Sequence, residues 1–265
     1  MGSTLSIVRV AACVTVLAGL LHSGHADAGR SCEERRPSVA SVTRGLELAA
    51  RTQAALDATG AKVVVIARSG QDLRKYRLRY SHLGFAVKGE DGRWLISHKL
   101  NQCGSAVAHL YRQGLAEFFI DDLFRAEGVF IVLRSDVQDA LYPVLTSSRV
   151  KTLHIERYNV VAYPWSTRYQ QSNQWAIETL AMAMSPRVTA REQAQAWLKF
   201  EGYVPTTLNI PPLTRLGGRM TAANVAFDDH PNEKRFSDRI ETVTVDSVIA
   251  WLESSGLGGK PRLLN

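Results

Sequence analysis

"AKVVVIARSGQDLRKYRLRYSHLGFAV", residues 61 to 87, decides how the chain is read. Val63 to Ala67 form an unbroken apolar, mostly β-branched run, the pattern of a strand buried on both faces. A polar loop follows, and "SHLGFAV" resumes as a second strand that opens with a histidine, His82. "KGEDG" (88–92) then reads as a hairpin turn, which brings "RWLISHKL" (93–100) back beside it with His98.

Outward from this core, Val42, Leu46, Ala49 and Ala50 recur at helical spacing in 37–60, with Gly60 as a stop. The segment 106–119 is ambiguous and partly helical, and "GVFIVLR" (128–134) predicts another buried strand. Ser135-Asp136-Val137-Gln138 and Thr189-Ala190-Arg191-Glu192 predict helices opened by capping boxes. The proline-rich 203–218 predicts an extended surface excursion. A late strand is expected at 239–245, then a short helix capped by Asp246, then a frayed tail. Strands in a run with helices around them predict an α+β fold with a mostly antiparallel sheet.

The chain has 265 residues and is 45% hydrophobic, enough for a sizeable core. Its N-terminus carries one basic residue, Arg9, then a dozen-residue apolar run, then Ala26-Asp27-Ala28. That predicts a secretory signal over 1–28, cleaved after Ala28, with 29–265 as one mature domain ending in a strand-helix extension. The run is too short to span a bilayer comfortably, so no stable membrane span is expected after cleavage. The expected location is periplasmic or secreted. The net charge of +7 survives cleavage, which removes Arg9 and Asp27 together. The basic balance suits an anionic envelope or its polymers, and its dispersal, without a dense basic run or interleaved aromatics, argues against nucleic acid. Cys32 and Cys103 are expected to pair as a disulfide in an oxidising compartment; a reactive Cys103 is the rival. No metal cluster or cofactor fingerprint is evident.

"RYNVVAYPWSTRYQQSNQWAIETL" (157–180) ends in a polar loop that turns into an apolar helix at Ser172. The serine is either a helix cap or a nucleophile waiting for a base. The stretch 61–87 resembles the opening of the permuted papain-like, NlpC-type hydrolases, and 157–180 resembles their second block. The resemblance implies a permuted papain-like α+β fold. His82 then matches the family histidine, His98 or Asn101 the polar group that orients it, Tyr158 and Asn159 the pair ahead of the nucleophile, and Ser172 the nucleophile itself. Here the chain departs from the family, which uses a cysteine. Asn173 would offer its backbone amide to the oxyanion. The mature chain also resembles DUF2145, a family of exported bacterial proteins, through "GQDL", "RYSHLGF", "LNQCG", "RYQQSNQW" and "ANVAFDDHP".

Two functions follow as expectations. One is hydrolysis of an amide or ester in the cell envelope, with the peptide stem of peptidoglycan as substrate. The other is a catalytically inactive module that binds an envelope polymer, peptide or lipid. Its recognition surface would be the aromatics Tyr158, Tyr163, Trp165, Tyr169 and Trp175, which could equally be loop packing. Asp228, Asp229 and His230 are consecutive and are expected to serve a loop, because neighbours on an extended chain point apart.

Overall fold

The structure is a computed structural model and describes residues 37–121 and 123–265; the expected signal segment and Cys32 lie outside these. Helix α1 (Val39–Asp57) begins at Ser38, whose Oγ accepts from the Ser41 amide at 3.1 Å. Gly60 at φ +68° lets the chain turn into β1 (Val63–Arg68). Next come β2 (His82–Lys88), β3 (Trp94–Asn101), β4 (Ala108–Gly114), α2 (Leu115–Ile120), β5 (Gly128–Val132) and α3 (Ser135–Leu145). The chain continues through α4 (Ser172–Met184), α5 (Arg191–Phe200), β6 (Thr206–Asn209), α6 (Pro212–Thr221), α7 (Asn232–Phe236), β7 (Arg239–Thr242), α8 (Val245–Ser254) and β8 (Arg262–Leu264).

Six strands form one sheet in the order β4-β3-β2-β1-β5-β8, with every neighbouring pair antiparallel. The fold is therefore α+β, built on a mostly antiparallel sheet as expected. Val64, Ile66, Ala86, Ile96 and Phe130 point to one face, where they pack with Leu48 and Leu56 of α1 and Phe118 and Phe119 of α2. Val63, Val65, Leu83, Phe85 and Ile131 point to the other, against α3, α4 and α8. Helices on both faces explain why β1 is apolar at consecutive positions. The β6–β7 ribbon has its own small cluster around Leu208, Phe227 and Ile240.

The ambiguous 106–119 is partly helical as expected, dividing into β4 and α2, where Glu117 accepts from the Gly114 amide at 2.9 Å. Several other local expectations are corrected. Ser135 does not cap α3. Gln138 instead reaches back to β1, accepting from the Lys62 and Val63 amides at 2.7 and 3.1 Å, so it fastens helix to sheet rather than closing a local box. At α5 it is Gln193, not Glu192, that accepts from the Thr189 and Ala190 amides. Thr244 rather than Asp246 caps α8. The proline-rich stretch contains β6 and α6, because a proline in the first helical turn forfeits no hydrogen bond. The tail is ordered as β8 against β5, with Leu264 buried in the α1–α2 core.

Beneath α4 lies a buried ionic network. Glu178, fully buried, accepts from Arg191 Nε and Nη2 at 2.7 and 3.0 Å, from Gln195 at 2.9 Å and from Gln170 at 2.6 Å. Removing one member of such a group leaves an uncompensated buried charge, which costs roughly 3–5 kcal/mol. Glu178→Ala is therefore expected to lower the melting temperature by roughly 10 °C. Calorimetry checks this, and a drop of under ~2 °C would show that the network is not integral to the fold.

Candidate functional site

His82 opens β2 and His98 lies near the end of β3. The β2–β3 register pairs Phe85 with Ser97, so alternation puts His82, Gly84 and His98 on the α1–α2 face. His82 Nε2 and His98 Nδ1 are 2.9 Å apart, and His98 Nε2 is 2.8 Å from Gln113 Oε1 on β4. Because the amide oxygen only accepts, His98 donates from Nε2 and accepts at Nδ1. His82 must then donate from Nε2, which leaves its Nδ1 lone pair available. Among the described residues Nδ1 of His82 has no hydrogen-bond partner.

The surroundings keep the two rings neutral. His98 is fully buried, and desolvation followed by the charge of Arg68 lowers its pKa to about 4. Burial also pushes His82 well below the ordinary histidine value, with Arg68 and His98 as further causes. Phe118 walls both rings, at 6.0 Å from His82 and 5.5 Å from His98. Arg68, paired across the ladder with His82, donates to the Phe118 and Asp121 carbonyls and to the Asp121 carboxylate. That ion pair holds the guanidinium beside the histidines.

Gly84 makes the pairing possible. A Cβ there would lie 2.9 Å from each of His98 Cβ, Ile96 Cγ2 and the Ser97 carbonyl oxygen. The glycine two residues after His82 is thus the space that His98 occupies.

The remaining expected site residues lie elsewhere. Ser172 is the first residue of α4, on the opposite face; its helix begins at Gln171 without a side-chain cap, and its hydroxyl lies beside Tyr158. No hydrogen bond joins Ser172 to His82 or His98. Asn173 pins α4 to the sheet, accepting from the Leu83 amide at 3.2 Å and donating to the Val243 carbonyl at 3.1 Å. Asn101 clamps its own turn through the Ser105 and Val107 carbonyls and accepts from Asn224. Asn159 is fully buried, donating to the Ala226 carbonyl and accepting from the Val161 and Ala226 amides.

The aromatics are mostly packing. Trp175 is in the core, Tyr158 is buried, Trp165 packs on Tyr203 and under Lys199, and Tyr169 reaches Asp228. Asp229 accepts from the Tyr163 amide, and the His230 ring lies 3.0 Å from Asp229 Oδ1 and 2.9 Å from the Glu241 carbonyl oxygen, so this trio ties loops together. Cys103 is disulfide-bonded, and the chain's other cysteines, Cys13 and Cys32, lie outside the described residues.

A model of a bacterial family described as "Uncharacterized protein conserved in bacteria (DUF2145)" matches residues 55–252. The chain belongs to the DUF2145 family. The matched span of this DUF2145 protein runs from the last turn of α1 to α8 and includes His82, His98, Gln113 and Ser172. No curated protein and no solved structure matches the chain.

Gln113 and Arg68 were not expected at the site. Gln113 falls in the stretch whose secondary structure was ambiguous, and Arg68 ends an apolar run that offered no reason to single it out. Gly84→Ala is expected to destabilise the protein by about 1–3 kcal/mol through overpacking. A crystal structure of the variant should show the His82–His98 contact broken. Unchanged stability with the contact kept would contradict the spatial role given to Gly84.

Proposed function

We propose that this DUF2145 protein is an exported hydrolase of amide or ester bonds in the cell envelope, papain-like (NlpC-type) in build, with the peptide stem of peptidoglycan as its substrate. The observation that carries the reading is the hydrogen-bonded series Gln113–His98–His82, which ends in an Nδ1 without a partner among the described residues, on a half-buried ring. A neutral imidazole oriented through its other nitrogen is the form a general base needs.

In this proposal His82 Nδ1 takes a proton from water as the water oxygen bonds to the carbonyl carbon. The tetrahedral intermediate collapses with cleavage of the carbon–nitrogen or carbon–oxygen bond, and His82 returns the proton to the leaving group. Water is preferred to the Ser172 hydroxyl because Ser172 opens a helix of the other face of the sheet. The same observation favours a second reading, in which the fold binds an envelope ligand without turning it over.

Purified protein should release product from stem-peptide amides or simple esters. His82→Ala should lower kcat/KM by roughly 10²–10⁴-fold, as for loss of a general base, while Ser172→Ala changes it little. With the His82 pKa depressed, the base stays unprotonated below the ordinary histidine range, so kcat/KM should hold steady from pH 7 to below pH 6 and decline only in stronger acid. Retention on peptidoglycan without any product would transfer the case to the binding reading. Equal turnover in His82→Ala would remove the proposed mechanism.

A further inference from the structure

The loop between β1 and β2 lines a cavity of about 270 Å3 whose rim carries Arg74, Arg77, Arg79 and Arg125 together with Phe124. Its lining is tied by hydrogen bonds to the start of β2. The cavity residues Ser69 and Gln71 flank Gly70, and the Gly70 and Gln71 amides both donate to Ser81 Oγ, at 2.9 and 3.2 Å, one residue before His82.

Four guanidinium groups here meet fewer carboxylates. Arg74 pairs with Asp72, and Arg79 and Arg125 both turn to Glu127, at 2.8 and 3.8 Å. Arg77 has no ion-pair partner among the described residues. It sits at φ +58°, where the chain leaves the short turn Arg74–Tyr76. Arg74 and Arg125 stack on the exposed Phe124 ring at 5.5 and 5.4 Å, which restrains their planes. Restrained, undercompensated guanidinium groups around a cavity suit oxyanions, whose two oxygens match the guanidinium fork.

We propose that this cavity is an oxyanion subsite, which takes a carboxylate or phosphate group of the ligand that reaches His82. The assignment rests on the reading of His82 as the reacting centre for its purpose, but not for its measurement. Calorimetric titration at low salt with inorganic phosphate, and separately with N-acetylglycine, tests it. At least one probe should bind, and added salt should weaken the binding. Arg77→Gly removes the guanidinium while suiting the positive φ, and should weaken binding at least tenfold. Arg219→Ala, on the exposed side of α6, should leave it unchanged. Binding of phosphate alone or of N-acetylglycine alone identifies the source of the oxyanion and supports the subsite either way. Absence of binding by both probes, or equal binding by Arg77→Gly and the parent, overturns it. Binding that persists in a protein without hydrolytic activity retains the subsite and rejects only the hydrolase.

Discussion

Two antiparallel strands normally keep their side chains about 5 Å apart across a ladder, and two histidine rings on neighbouring strands need extra room to lean together. In this protein that room is the missing side chain of Gly84. Across from it, His98 tilts until its Nδ1 reaches His82, and its Nε2 finds Gln113 on the next strand. Three strands are thereby linked through one line of hydrogen bonds, on a face closed by Phe118 of the helix that follows β4. The fold's main sequence-local feature, a hairpin after a buried strand, is thus also what assembles the polar centre.

The two faces of the sheet handle buried polarity differently. On the α4 face, Glu178 and Arg191 pair and are each satisfied several times over, while Lys99, donating to the Ile155 carbonyl and Gln170, is pulled down to about 7 by burial and then by Arg191. On the α1–α2 face, one buried cation, Arg68, is held by Asp121, and burial first, then the charge of Arg68, lowers the pKa of both histidines. The first arrangement fixes structure. The second leaves a lone pair on a half-buried ring, which is a chemical capability rather than a packing device.

Much of the fold was legible because its signals are local. The β-branched run of β1, the glycine-bearing hairpin and the α1 periodicity each declare an element without reference to the rest. Where tertiary contacts decide, local reading gave way: Gln138 left its own helix to bind β1, and the tail became β8 because Leu264 fills an apolar gap. The site divided in the same way. His82 and His98 could be paired from hairpin geometry alone. Gln113 could not, since its strand was ambiguous, and nothing in the segment 157–180 tells which face of the sheet α4 will cover. The distance in sequence between His82 and Ser172 says nothing about the sheet that lies between their two layers.

The central claim is that His82 is a neutral imidazole protonated at Nε2, with its Nδ1 lone pair free. Nitrogen-15 NMR of the ring nitrogens at pH 7 tests this most directly, because protonated and unprotonated ring nitrogens resonate far apart. The account predicts an unprotonated Nδ1 and a protonated Nε2 in both His82 and His98. A doubly protonated His82, or a proton on its Nδ1, would contradict it.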